Sequence, residues 1–78
     1  MSVTNDDIVK IVLAKASDVK NKDIDPEATF SSIGVDSLDQ MTIFMAIEEQ
    51  YGVSVPDEDY DSLKTVAKVV AYINSKTN

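Results

Sequence analysis

Three residue types that carry much of protein chemistry are absent from this chain of 78 residues: cysteine, histidine and arginine. Without cysteine, the chain has no disulfide, no thiolate zinc site and no cysteine nucleophile. Without histidine, it lacks the commonest general base and metal ligand. Without arginine, it cannot hold a phosphate through a bidentate guanidinium. We therefore expect no catalytic residue, and the chain is not predicted to be an enzyme.

Glycine and proline are also scarce, with two of each, and no repeat or low-complexity tract divides the chain. A chain of this length forms one domain, 1–78, that buries about 60% of its unfolded surface. No run approaches the ~20 apolar residues of a membrane helix, and the acidic start is unlike a signal peptide. We expect a cytoplasmic monomer without membrane insertion.

Positive charge is in short supply, because seven lysines face 14 acidic residues and the formal net charge is −7. Residues 36–61 carry eight acids and no base, whereas residues 62–78 carry three lysines and no acid. Such a chain repels phosphate backbones, so a nucleic-acid partner is excluded. The acidic block has two interpretations, a solvated surface or a docking surface for basic partners, and composition alone leaves both open.

The spacing of apolar residues along the chain is mostly that of α-helices. Thr4 with Asp7 three residues later predicts a capped first helix that fades near Ser17. The second helix is predicted from Asp36 or Ser37 to Tyr51, ended by Gly52.

Two further helices follow. Pro56–Tyr60 is typical of one short helical turn, and Thr65 can cap a last helix. The core stripe of that last helix is Val66, Val69, Val70 and Ile73. The sequence thus predicts an all-α fold, a small four-helix bundle of three main helices and one short helix. A long loop, 18–36, lies between helices one and two, with Val19, Ile24, Phe30 and Ile33 packed on the core.

The second helix has more apolar surface than one core requires. At about 100° per residue, one apolar face holds Ile43, Phe44, Ile47 and Tyr51. A second stripe, flanked by Glu48 and Glu49, lies almost opposite and holds Leu38, Met41 and Met45. Either this helix is central and both stripes are buried, or the second stripe binds a partner, for which methionine is well suited.

No metal site is predicted. Asp57, Asp59 and Asp61 match positions 1, 3 and 5 of a calcium-binding loop. Ser62 and Lys68 stand where that loop needs glycine and glutamate, so the match fails.

Ser37 is the one residue whose setting suits chemistry, because it lies where the long loop meets the second helix. It can form a capping box with Gln40, and Asp36 is an equally good cap. The same position also suits a serine that carries a phosphate or phosphodiester, since helix amide groups favour an anion there. An attaching enzyme would supply the missing base.

The ordered set of motifs resembles the acyl carrier proteins over nearly the whole chain. Asp36-Ser37-Leu38 resembles the attachment motif of the family, within the wider signature at 30–39. Later segments at 45–51, 55–58 and 65–73 match in order and spacing. Thr42 departs from the pattern, because fatty-acid carriers usually have a glutamate there, and Gln50 stands where another acid is common.

The resemblance implies that Ser37, flanked by Asp36 and Leu38, receives 4′-phosphopantetheine from coenzyme A through a phosphopantetheinyl transferase. The arm would hold acyl groups as thioesters for enzymes of fatty acid, polyketide or related biosynthesis. It also implies a docking surface for acyl-transferring and condensing enzymes with basic patches, made of Leu38, Asp39, Met41, Met45, Glu48 and Glu49. Candidates for lining a space for the acyl chain are Phe30, Ile43, Ile47 and Tyr51.

Two alternatives stay open at this point. One is an unmodified acidic adaptor that docks basic proteins through helix two. The other is a carrier of aminoacyl or peptidyl groups. The departures at Thr42 and Gln50 favour partners other than a standard fatty-acid synthase set.

Overall fold

The structure, a computed structural model, describes residues 3–16, 19 and 24–77. These residues form three α-helices: α1 (Asn5–Lys15), α2 (Ser37–Tyr51) and α3 (Val66–Thr77). Two short 3₁₀ helices, Ser31–Ile33 and Asp57–Ser62, precede and follow α2. The predicted all-α fold, with three long helices and one short helix after α2, is confirmed, and the helix at Ser31–Ile33 is an addition that the sequence did not predict.

The first helix begins as predicted. The Asp7 amide donates to Thr4 Oγ1 at 3.2 Å, and the Thr4 amide donates to Asp7 Oδ2 at 3.0 Å, which completes a capping box. The helix ends at Lys15 with Ala16 as its C-cap. The sequence predicted that the helix fades near Ser17, a residue that lies outside the described residues.

The core lies between α1 and the other two helices, since α1 packs against both α2 and α3. Phe44 of α2 is fully buried within it. Its ring meets Phe30 edge-on with centroids 6.4 Å apart and Tyr60 at 4.6 Å. These contacts join the long loop, α2 and the second 3₁₀ helix around one aromatic side chain.

The described part of the long loop is tied to the start of α3. The Phe30 amide donates to the Lys64 carbonyl at 2.8 Å, and the Ala67 amide donates to the Pro26 carbonyl at 3.0 Å. Ile24 and Phe30 are buried, while Val19 and Ile33 pack on the core from partly buried positions. The prediction that these four residues hold the loop to the core is therefore confirmed.

The last helix is capped as predicted, because the Lys68 amide donates to Thr65 Oγ1 at 3.2 Å. Val66, Val69 and Ile73 of its predicted stripe are buried, and Val70 packs on the core from a partly buried position. The Tyr72 hydroxyl donates to Asp59 Oδ2 at 2.7 Å, which fastens α3 to the second 3₁₀ helix. That helix was predicted as a single turn at Pro56–Tyr60 and instead continues to Ser62.

Candidate functional site

Ser37 is the first residue of α2, and a neighbour performs the capping. Asp36 is the N-cap, and its Oδ1 accepts from the Asp39 amide at 2.8 Å. The alternative capping box between Ser37 and Gln40 does not form. The Ser37 hydroxyl is consequently exposed, and it has no hydrogen bond to any residue that the structure describes.

The loop before Ser37 fixes its position. The 3₁₀ helix Ser31–Ile33 ends at Gly34, whose φ of +92° places it in the left-handed region that favours glycine. After this reversal Val35 is buried, and its amide donates to the Phe30 carbonyl at 2.9 Å. A buried residue two positions before Ser37 thus anchors the chain, while Ser37 itself stays at the surface.

A cavity of about 410 Å³ adjoins Ser37. Phe30, Val35 and Tyr60 supply its apolar walls, so both 3₁₀ helices and the long loop contribute to it. Its polar lining besides Asp36 and Ser37 comes from Thr29, Ser31, Gln40, Asp61 and Lys64. The volume lies in the range of about 300–1,000 Å³ that is usual for small-molecule sites.

The two apolar stripes of α2 have opposite environments. Ile43, Phe44 and Ile47 are fully buried. On the other face Leu38 is 73% exposed, Met41 45% and Met45 60%. The hypothesis that both stripes are buried is therefore wrong, and an apolar ridge of Leu38, Met41 and Met45 faces outward.

The polar residues around this ridge differ in what they contact. Glu49 is exposed and Asp39 is partly exposed. Glu48 is partly buried, and its Oε2 accepts from the Val55 amide at 2.8 Å, so this carboxylate supports the segment after α2. Thr42 is exposed, and its hydroxyl donates to the Leu38 carbonyl at 3.0 Å, one turn back along the helix.

The four residues predicted to line a space for an acyl chain occupy different places. Phe30 lines the cavity beside Ser37, whereas Ile43 and Ile47 lie fully buried in the core. Tyr51 lies at the far end of α2, where its hydroxyl accepts from Gln50 Nε2 at 3.2 Å. Partial burial, and then the nearby Asp7 carboxylate, raise the pKa of Tyr51. Of these four residues, the cavity beside Ser37 contains Phe30 alone.

Tyr60 and Lys64 are lining residues that the sequence analysis did not single out. Partial burial is the main cause that raises the pKa of Tyr60, followed by the negative charges of Asp57 and Glu48. Its phenol is therefore neutral at physiological pH and remains a hydrogen-bond donor. The available signals were that Tyr60 lies in the short helix predicted after Pro56 and that Lys64 directly precedes the cap Thr65.

Within the described residues, no group of histidine, cysteine or acidic side chains is arranged to hold a metal ion. The described helices are likewise all too short or too polar to cross a membrane. The site consists of an exposed serine, a cavity with a mixed polar and apolar lining, and an apolar ridge along α2.

Comparison with known protein families and solved structures shows which class of protein the chain resembles. The family described as phosphopantetheine attachment site matches residues 7–73, which include Ser37 and the whole of α2. The fold also superposes on solved carrier structures. A butyryl-ACP from the actinorhodin polyketide synthase of Streptomyces coelicolor matches with a TM-score of 0.87 and 26% identity, over 99% of this chain and 93% of that one.

A second structure from that synthase, 3,5-dioxohexyl ACP, matches with a TM-score of 0.80 and 28% identity over the same shares of the two chains. Among curated proteins, the acyl carrier protein of Thermosynechococcus vestitus is 42% identical over 69 residues, covering 87% of this chain and 85% of that protein. The mitochondrial acyl carrier protein of Dictyostelium discoideum is 36% identical over 62 residues, which are 80% of this chain and 52% of that protein.

The chain belongs to the acyl carrier protein family. Its class is that of carriers with a phosphopantetheine attachment domain, in which covalent 4′-phosphopantetheine holds the cargo. A carrier of this class works by interacting with acyl-handling enzymes. The absence of cysteine from the chain is consistent with this chemistry, because the arm supplies the reactive thiol.

Proposed function

We propose that Ser37 carries the 4′-phosphopantetheine arm and presents acyl intermediates to enzymes of fatty acid, polyketide or related biosynthesis. The observation that carries this proposal is the exposed hydroxyl of Ser37, which lies beside a cavity and has no hydrogen bond to the described residues, with Asp36 in the capping role. The hydroxyl is accessible to a transferase, and attachment there removes no hydrogen bond among the described residues.

In the loading reaction the chain supplies only the serine hydroxyl. The Ser37 Oγ forms a bond to the phosphorus next to the pantetheine of coenzyme A, and the bond from that phosphorus to 3′,5′-ADP breaks. The serine proton passes to a base of the transferase, so the lack of histidine is no obstacle. Asp36 holds the helix start and Leu38 lies on the exposed face beside it, so both are available to a phosphopantetheinyl transferase.

Docking is proposed to use the ridge of Leu38, Met41 and Met45 with nearby acids. The ridge offers apolar area that a partner can cover, and Asp39 and Glu49 add negative charge that attracts basic patches. We assign Glu48 a weaker docking role than predicted, because its carboxylate already accepts from the Val55 amide. Cytoplasmic location and a monomeric state remain predictions from the sequence.

The test is enzymatic loading followed by intact mass. Incubation with coenzyme A, Mg²⁺ and a promiscuous phosphopantetheinyl transferase should add one phosphopantetheinyl group, and Ser37→Ala should abolish the addition. Ser32→Ala is the matched control, since it removes another exposed serine of the same signature and should load normally. Loading of the Ser37→Ala chain, or no mass gain with several transferases, would refute the assignment.

A further inference from the structure

We propose that Met41 and Met45 form an oxidant-sensitive modification site on the ridge, at which a peroxide converts thioethers to sulfoxides and so lowers the affinity for docking partners. This inference rests on the proposed docking role of the ridge. The site lies on the surface of α2, and neither methionine lines the cavity beside Ser37.

The first reason is where the sulfur atoms of the chain lie. Because cysteine is absent, the three sulfur atoms belong to Met1, Met41 and Met45. Met1 lies outside the described residues, whereas Met41 is 45% exposed and Met45 is 60% exposed, both on the ridge. Peroxides oxidise accessible methionine sulfur. Within the described part of the chain, the sulfur targets of such an oxidant are therefore confined to this one surface.

The second reason is the composition of the core. The buried apolar residues that the structure describes are valine, isoleucine, leucine, alanine and phenylalanine, with no methionine among them. A sulfoxide formed in a core disrupts its packing, whereas a sulfoxide at an exposed position keeps its polar oxygen in water. Oxidation of the two described methionines therefore changes the ridge and leaves the fold intact.

The third reason is that the two methionines share one face of the helix. Met41 and Met45 are four residues apart in α2, so their side chains are neighbours on the face that also holds Leu38. A partner that covers the ridge covers both side chains. The thioether of methionine offers it apolar contact, but a sulfoxide presents a polar oxygen, and covering that oxygen without a hydrogen bond is costly.

The chemistry is one oxygen transfer at each thioether. The sulfur lone pair attacks one oxygen of hydrogen peroxide, so that an S–O bond forms and the O–O bond breaks. The departing hydroxide takes the proton of the transferred oxygen and leaves as water. Sulfur is oxidised by two electrons, and the peroxide is reduced by two. A methionine sulfoxide reductase reverses the change with two thiols, which become a disulfide while the oxygen leaves as water.

The experiment compares enzymatic loading of the chain before and after peroxide treatment. The chain is used without the arm, because the thiol of the arm would also react with peroxide. Fragmentation mass spectrometry locates the added oxygen, and we expect Met45 to be oxidised faster than Met41 because it is more exposed. Loading of the untreated chain is measured first, which separates failure of this inference from failure of the attachment proposal.

The kinetic readout is loading by a phosphopantetheinyl transferase that has a basic docking patch. With both sulfoxides present, the KM for the chain should rise about tenfold, because the partner covers polar oxygens without hydrogen bonds. The kcat should stay the same, since the loss is one of binding. Methionine sulfoxide reductases with a thiol should return the KM to its starting value, and thermal unfolding of oxidised and untreated chains should agree.

The double variant Met41→Leu/Met45→Leu is the matched control, because leucine is apolar and contains no sulfur while Met1 stays oxidisable. Whatever its own KM, that value should be equal before and after peroxide treatment.

Three results would overturn the inference. The first is an unchanged KM for the chain oxidised at both methionines. The second is an equal rise in KM for the double variant, because the damage would then lie outside the ridge. The third is unfolding of the oxidised chain, because docking would then be lost through the fold.

Discussion

At the residue scale, Asp36 and Ser37 divide two tasks that one serine could have performed. The Asp36 carboxylate accepts from the Asp39 amide at 2.8 Å, which satisfies the start of α2. Ser37 therefore does not act as the cap. The sequence allowed either residue as the cap, since both are good capping types, and only the backbone geometry decides between them.

This division of roles predicts that substitutions at Asp36 and Ser37 have different effects on stability. Asp36→Ala should lower the free energy of unfolding by about 0.5–2 kcal/mol, because it removes the cap. Ser37→Ala should change it by less than about 0.5 kcal/mol, because its hydroxyl has no partner among the described residues. Urea denaturation of both variants measures the difference. Equal losses would contradict the assignment of the cap.

At the element scale, the two glutamates near the end of α2 have different roles that the sequence could not separate. Glu48 and Glu49 each lie about 20° outside the ridge, on opposite sides of it, so periodicity predicts the same docking role for both. The structure shows Glu48 accepting from the Val55 amide at 2.8 Å, seven residues later. Such a contact depends on how the chain turns after Gly52, which helical periodicity does not describe.

The pair provides a matched test. Glu48→Ala should destabilise the protein by about 1–3 kcal/mol, because the amide of the buried Val55 loses its charged acceptor. Glu49→Ala should leave stability within about 0.5 kcal/mol of wild type, since Glu49 is exposed. Thermal unfolding of the two variants checks this. A larger loss for Glu49→Ala than for Glu48→Ala would contradict the structure.

The bounds of α2 are a feature that the sequence predicts well. Strong signals at both ends, a capping residue and Gly52, predicted α2 to within a residue, Ser37–Tyr51. The 3₁₀ helix Ser31–Ile33 was missed, because three residues are too few for a periodic pattern. Of the candidates for lining an acyl space, only Phe30 lines the observed cavity, since its lining comes from separate segments that only the fold brings together.

At the scale of the whole molecule, the most acidic segment of the chain also contains the exposed apolar ridge of α2. Residues 36–61 carry eight acids and no base, and this block contains the ridge of Leu38, Met41 and Met45. Long-range attraction would bring a basic partner to this segment, and the ridge would then supply contact area. The two contributions respond differently to salt, because screening weakens the first and hardly affects the second.

The electrostatic and apolar contributions can be measured separately in the association of the chain with a phosphopantetheinyl transferase that has a basic docking patch. For wild type, the association rate constant should fall as salt rises, because charges are screened over ~10 Å at 0.1 M. Met45→Ala should keep that salt dependence and mainly raise the dissociation rate, about three- to tenfold. Stopped-flow measurements give both constants. An association rate indifferent to salt would show that the ridge docks without electrostatic help.

The central claim, that Ser37 carries the arm, is tested most directly by the mass of the protein isolated from its native cell. Intact mass followed by fragmentation should show the chain plus one phosphopantetheinyl group, with or without an acyl group, located on Ser37. An unmodified chain from growing cells, or the same group found on another residue, would contradict the account.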